Sequence, residues 1–469
     1  MIVLEMQRVN YTNRFGDKRI ERRGEELNQR IFQSGRSSIQ GLSLSRAEQK
    51  AFYRLLHNSK VSESKLVEEL SCRCGASAEG RIVLAIQDTS EINLSSHYNR
   101  LNKSSGVGSL DGAYPGQLGF KVHPSLVLDA YNGFPLGFSE IRLWERPLER
   151  PGKYERDYQR QPIEEKESYK WLETSQKSKV CLANADAVII IQDREGDIYE
   201  QFAQIPDEKT YLLVRSRINR NLSSQGKLWD ELDKTSASGA YTVLIGSDSH
   251  SNEPARQAEI QVRFIKASVK APTRNKTATS QTLYAIEARE INSIAKEPVL
   301  WRLITNWPVE TFDQARMIIE WYTCRWVIEE VFRLLKKEGF DIERSEMESG
   351  WAIRKLCILL LDTILKILQM HMAYHMLEGD PPDIGLCFDN QQQECLGAMN
   401  KIAEGRTQAL QNPFKPSELR WATWIIARNG GWKGYQSQQP PGMTTIWRGL
   451  QKFYNIYEGW NLLKDVGTR

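Results

Sequence analysis

The chain has 469 residues, 40% hydrophobic and 26% charged, the balance of a soluble globular protein and too long for one ordinary core. A formal net charge of +4 excludes a strongly basic polyelectrolyte, so any surface for nucleic acid must be local. The seven cysteines, odd in number and scattered, argue for reduced thiols; Cys72 and Cys74 are too tightly spaced for a zinc knuckle.

The start, Met1 to Arg8, lacks a signal-peptide pattern, which with the thiols implies a cytoplasmic protein. Residues 14–70 read as helical and basic-polar. Arg14, Lys18, Arg19, Arg22 and Arg23 lead into an amphipathic stretch at 25–32, and residues 45–56 form another. A charged helix face is by itself more readily a solvated one. At Arg81 the pattern changes. Residues 82–86 are a continuous apolar run ending in Gln87-Asp88-Thr89, the form of a buried strand that delivers a carboxylate at its C-terminal end. Residues 119–128 and 136–144 supply further strands, joined by the turn Tyr131-Asn132-Gly133-Phe134. A highly charged connection follows, then a helix over about 163–176.

Residues 187–191 are a second continuous apolar strand, ending in Gln192-Asp193-Arg194-Glu195-Gly196-Asp197. Either aspartate alone reads as a turn or cap residue, but two buried strands both ending in Asp suggest a site, since open α/β sheets place their chemistry at strand ends. From Tyr211 to about Trp307 the chain is strand-rich, and this β-rich stretch is expected to sit outside the main core. Its loop at 270–280 carries Lys270, Arg274 and Lys276 among small residues, suiting a phosphate-facing loop or a plain surface one.

No proline or glycine occurs from Val309 until Gly339, so residues 321–336 read as one helix. Advancing about 100° per residue from Tyr322 sets Arg325, Glu329 and Lys336 at roughly 300°, 340° and 320°, on one narrow face beside the phenol. Val327, Ile328, Val331, Phe332, Leu334 and Leu335 fall on the other side. The apolar run 356–370 contains Asp362 and Lys366 and is therefore a core helix, not a membrane span. His371 and His375 have no acid between them, which argues against a zinc motif. Gly379-Asp380-Pro381-Pro382-Asp383 marks a boundary before a helical tail with helices near 419–427 and after Pro441.

The spacing Tyr322, Arg325, Glu329, Lys336 resembles the Y-x2-R-x3-E-x6-K signature of insertion-sequence-four family DDE transposases, and within them the transposon-five transposase type. Further likenesses lie in Gly16 to Arg19, Lys50 to Asn58, Glu165 to Trp171, Asp193 to Asp197, and the glycine-tryptophan segments at Gly430 and Pro441. The resemblance implies an α/β fold with an RNase H-like catalytic core and a β-rich insertion, flanked by helical N-terminal DNA-binding and C-terminal dimerisation domains. The corresponding boundaries are 1–75, 76–205 and 298–377 for the core, 206–297 for the insertion, and 378–469.

Three convergent carboxylates, Asp88, Asp193 and Glu329, would repel one another without positive charge between them. Hard oxygen donors point to two magnesium or manganese ions, which serve in-line phosphoryl displacement by water or a DNA 3′ hydroxyl. Beside them Arg325 can fork onto a phosphate, Lys336 can neutralise one and Tyr322 can donate to one. The resemblance implies that these three hold the phosphates of the transposon terminus. It also implies that Trp301 stacks on a flipped base, that Trp326 probes the duplex and that Arg215 contacts DNA. Its implied partners are transposon ends with terminal inverted repeats, target DNA and a second copy in a synaptic homodimer at the bacterial nucleoid, with no membrane. The implied reaction is cut-and-paste transposition through end nicking, a hairpin and strand transfer. Rival readings are a metal-dependent repair or resolvase nuclease, a non-catalytic DNA-binding relative, which should have lost a carboxylate, and, more remotely, a paired-acid glycosidase, against which Arg325 and Lys336 argue.

Overall fold

A computed structural model describes residues 8–111, 116–148, 161–246, 253–272, 279–293, 295–337, 339–376, 379–435 and 438–467. Arg274, Lys276 and most of the charged connection after Trp144 lie outside the described residues. Helices of seven residues or fewer and 3-10 turns aside, the chain runs through helices α1 (Lys18–Ser34), α2 (Arg46–His57) and α3 (Glu63–Ala78), then strands β1 (Ile82–Gln87), β2 (Ser90–Asn93), β3 (Gly108–Ser109), β4 (Leu118–Asp129) and β5 (Pro135–Trp144). Helix α4 (Tyr169–Cys181) precedes β6 (Ala187–Gln192), β7 (Thr210–Arg215), β8 (Gly239–Ile245), β9 (Arg256–Val269), β10 (Gln281–Ile291) and β11 (Leu300–Thr305). Helices α5 (Phe312–Thr323), α6 (Val327–Lys336), α7 (Gly350–His375), α8 (Asn390–Ala403), α9 (Leu419–Asn429) and α10 (Met443–Gly467) complete it. The fold is mixed α/β and divides into two compact units.

One unit holds Ala78–Asp88 and Asp157–Trp326. Its centre is a large mixed sheet in the order β1-β6-β7-β11-β10-β9-β8. The continuous Ile/Val/Leu runs of β1 and β6 pair in parallel, Ile86 opposite Ile191, and β7 joins β6 in parallel with Gln192 opposite Val214. Such runs suit strands covered on both faces, and β6 is buried throughout. The remaining strands are antiparallel, β11 against β7 and then β10, β9 and β8 in turn. The stretch expected to stand outside the core therefore extends the same sheet: β11 returns to pair with β7, the neighbour of β6. The helix expected from 163 is a 3-10 turn at Ile163–Glu165 followed by α4, because the backbone at Lys166 is extended (φ −87, ψ 146) and interrupts it.

The other unit holds Met1–Ser77, Thr89–Arg156 and Val327–Arg469. Here β4 is buried along its whole length and pairs antiparallel with β2, β3 and β5. The Asp129 N–H donates to the Phe134 carbonyl at 2.9 Å, closing the β4–β5 hairpin where the Asn-Gly turn is expected. Helix α7 is long and apolar enough to cross a membrane, yet most of it is buried within the protein. Its charges are met internally: Asp362 accepts from Arg73 at 2.8 Å and from Asn28 at 2.9 Å, and Lys355 donates to the Leu56 and Asn58 carbonyls that end α2. Helix α1 begins on the Asp17 cap and ends at Gly35, whose left-handed φ of 62° costs glycine little. The Gly35 carbonyl accepts from Trp447 Nε1 and Gln451 Nε2 of α10, both at 3.0 Å.

Candidate active site

Since β1 and β6 are adjacent and parallel, the residues that follow them leave the sheet side by side, and these are Asp88 and Asp193. Asp88 Oδ2 accepts from Arg325 Nη1 at 3.0 Å, with both side chains largely covered. Asp193 caps the 3-10 turn Arg194–Gly196, its Oδ1 accepting the Glu195 N–H at 2.8 Å. Burial pushes the Asp193 carboxyl above the usual carboxylate range; the Glu195 amide opposes this, the Glu195 carboxylate adds to it, and Arg325 and Lys170 pull it back. The last aspartate of the turn, Asp197, is structural. It accepts the Arg217 and Ile218 amides at 2.7 and 3.0 Å and pairs with buried Arg220, anchoring the segment after β7.

Arg215, the last residue of β7, brings a second guanidinium. Burial depresses it first, and the neighbouring positive charges of Arg194 and Arg325 depress it further. Arg325 thus bonds Asp88, while Arg215 feels the charges of Asp193, Arg194 and Arg325, so the strand ends carry cations as well as acids. Tyr322 is buried, and burial pushes its hydroxyl up to about 12 in spite of Arg325 and Arg215, so at neutral pH it is a hydrogen-bond donor. Trp301, on β11, packs edge-on against it with centroids 5.3 Å apart and remains partly accessible. Trp326 is 55% exposed, and the Arg325 guanidinium lies 5.0 Å from its ring centre.

The single helix expected through 321–336 is instead α5, a 3-10 turn at Cys324–Trp326, and α6. The cause is local. The Glu320 carbonyl accepts from Thr323 Oγ1 at 2.6 Å and Cys324 Sγ at 3.7 Å, while the Cys324 N–H turns to the Trp321 and Tyr322 carbonyls. A 3-10 turn advances about 120° per residue, so the uniform phase that aligned Tyr322 and Arg325 with Glu329 and Lys336 does not hold through it. Within α6 the apolar side is as expected, with Ile328, Val331, Phe332, Leu334 and Leu335 buried.

Asp88, Asp193, Arg215, Trp301, Tyr322, Arg325 and Trp326 therefore belong to the sheet unit, whereas Glu329 and Lys336 are on α6 in the other. There Glu329 is half-buried in the first turn, and Lys336 Nζ lies 3.5 Å from Ser90 Oγ and 3.7 Å from Glu343 Oε1. Sequence reasoning missed Arg194 as a cation of the site and Lys170, which is buried and pairs with Glu195 at 3.2 Å. The signal was present in Asp193-Arg194-Glu195, where a cation follows the carboxylate directly.

Among the described residues no three His, Cys, Asp or Glu side chains are grouped to enclose a metal ion. The two carboxylates of the sheet unit nevertheless suit a hard divalent cation: both are oxygen donors on neighbouring strand ends, and Asp193 is desolvated beyond what its partners offset. A solved piggyBac transposase synaptic complex with hairpin DNA matches at a TM-score of 0.36 and 8% identity, covering 75% of this chain and 67% of that one. Residues 137–364, just under half of the chain, which include Asp193, Tyr322, Arg325, Glu329 and Lys336, match the family model described as Transposase DDE domain.

Proposed function

We propose that the chain is a cut-and-paste DNA transposase of the insertion-sequence-four type, with an RNase H-like core flanked by a DNA-reading N-terminal domain and a dimerising C-terminal one. The observation that carries the reading is the placing of Asp88 and Asp193 at adjacent parallel strand ends, with Arg325 bonded to Asp88. A cation set beside acids in this way fits a phosphodiester that arrives with metal, and a transposase is the DDE enzyme the family match supports.

In this reading Asp88, Asp193 and Glu329 hold magnesium or manganese. Bound there, the metal supplies Lewis-acid activation of the attacking oxygen and charge relief at the leaving one. Arg325 and Arg215 grip the phosphates on either side of the scissile bond, Lys336 neutralises a third, and the protonated Tyr322 hydroxyl donates to a non-bridging oxygen. Trp301 offers its accessible face to an unstacked base, and Trp326 meets the duplex. A homodimer holds two inverted-repeat ends and joins them to target DNA.

The test uses the full chain, a labelled DNA end from the inverted repeats flanking its reading frame, and Mn2+. Asp88→Ala, Asp193→Ala and Glu329→Ala should each abolish nicking while leaving end binding intact. Nicking retained by Asp193→Ala would sink the assignment.

A further inference from the structure

A glutamine stands directly before each carboxylate, Gln87 closing β1 and Gln192 closing β6, and both are fully buried. Side chains alternate along a strand, so the two amides point to one common face, where α4 presents Ser175. Gln192 Nε2 donates to Gln87 Oε1 at 2.9 Å and to Ser175 Oγ at 3.1 Å. Gln87 Nε2 donates to the same hydroxyl at 3.2 Å, and Ser175 Oγ donates onward to the Trp171 carbonyl at 2.8 Å. Gln192 Oε1 is left without a partner. The turn that Asp193 caps rests on this network: a Cβ at Gly196 would lie 2.5 Å from Gln192 Oε1 and 2.6 Å from Gln192 Cβ.

A buried amide pair with one acceptor unmade is not the most stable filling for this space. Two apolar side chains of similar shape would fill it with no orphaned group, and such replacements are commonly neutral or stabilising. The backbone ladder of β1 and β6 sets the strand spacing as far as Ile86 and Ile191, and directional bonds between the side chains just beyond it add a restraint on how Asp88 and Asp193 leave the sheet that apolar side chains cannot supply. We propose that Gln87, Gln192 and Ser175 are positioning residues that hold Asp88 and Asp193 at the separation a shared divalent cation requires. The proposal rests on the reading of those aspartates as metal ligands.

The test compares the full chain with Gln87→Met/Gln192→Met and with Ser175→Ala, using Mn2+ alone as the probe. Thermal melting of the double variant should be unchanged or raised, and end binding without divalent metal should be unchanged. Its midpoint for Mn2+ binding by titration calorimetry should rise by about tenfold, and the Mn2+ needed for half-maximal nicking should rise in parallel, with most of the rate regained at saturating metal. Ser175→Ala should shift both midpoints in the same direction by less. Wild-type midpoints in a normally folded double variant would overturn the proposal. So would a destabilised double variant accompanied by unshifted midpoints in a folded Ser175→Ala protein, because the network would then be structural only. If the wild-type chain shows no Mn2+ binding that Asp193→Ala removes, the metal reading itself has failed, and that control separates the two failures.

Discussion

Arg325 Nη1 donates to Asp88 Oδ2 across 3.0 Å, so a cation delivered by the 3-10 turn after α5 neutralises the carboxylate that follows β1. Both partners are needed for other work in the proposed reaction, the carboxylate for metal and the guanidinium for phosphate. In that proposed reaction the contact would be a resting arrangement, exchanged for DNA and metal on loading. Arg325→Lys keeps the charge but loses the planar fork. It should lower end affinity by about tenfold, on the order of one charge-assisted hydrogen bond, with melting little changed. Quantitative gel-shift titration checks this, and wild-type affinity in the lysine variant would remove Arg325 from the phosphate grip.

End binding should weaken steeply with salt, because each phosphate contact releases counterions. The N-terminal cations are not equivalent in this respect. Arg14 pairs with Glu68 at 3.2 Å, Arg22 and Arg23 both reach Glu26, and Arg30 reaches Glu48. Lys18 and Arg19 stand in the first turn of α1. Replacing Lys18 or Arg19 by Ala should cut the slope of log affinity against log salt by about one each, and Arg14→Ala should cut it less. Equal slopes across all three variants would locate the reading surface elsewhere.

Asp362 offers a test of the helical unit apart from any chemistry. Burial pushes its carboxyl up, but Arg73, Lys366 and Asn28 more than compensate and hold it below the usual carboxylate range. A lowered folded pKa means stability that is fully present above the unfolded value, near 3.8, and lost as pH falls through the folded one. Melting temperature should therefore hold above about pH 5 and decline below pH 4. Asp362→Ala removes a buried anionic partner of Arg73 and should cost about 3–5 kcal/mol, whereas Asp362→Asn, which still accepts a hydrogen bond, should cost less. Denaturant melts across pH measure both, and an acid decline unchanged in Asp362→Asn would assign it to other carboxylates.

The parts of the fold legible in the sequence are those set by neighbouring residues. The apolar runs of β1 and β6, the Asn-Gly hairpin after Asp129 and the buried stripe of α6 are all local patterns, and each stands where it reads. The break between α5 and α6 was hidden because it depends on where the Thr323 hydroxyl and the Cys324 thiol place their bonds, and neither residue is a strong helix breaker. The continuity of the sheet through β7 and β11 was hidden for the opposite reason. Leu303 opposite Arg215 is a long-range pairing, and nothing in either strand names its partner. Arg194 escaped notice because a cation in a turn reads as solvated, and its influence on Arg215 depends on a long-range approach of β7.

Trp301 separates a hairpin-forming transposase from a simple nuclease. In the proposed hairpin pathway the free 3′ hydroxyl left by the first nick would have to reach the opposite strand, bending the duplex end and unstacking a base at a cost of a few kcal/mol. An indole that receives that base offsets part of the cost, and Trp301 has an accessible surface while its ring is fixed edge-on to Tyr322 at 5.3 Å. Trp301→Ala should leave first-strand nicking nearly intact and slow hairpin formation by about tenfold or more, the stacking energy of one base. Loss of packing is the competing cause, since Trp301 lies on β11 opposite Ala288 and supports Tyr322. Trp301→Phe controls for it by keeping an aromatic contact with Tyr322 and a smaller stacking face, so its hairpin rate should fall between the other two. The assay follows nicked, hairpin and double-strand-break products over time on a pre-cleavage end, with thermal melting of each variant alongside. Equal loss of nicking and hairpin formation in a normally folded Trp301→Ala protein would show that the indole serves the site as a whole and has no specific part in receiving a flipped base.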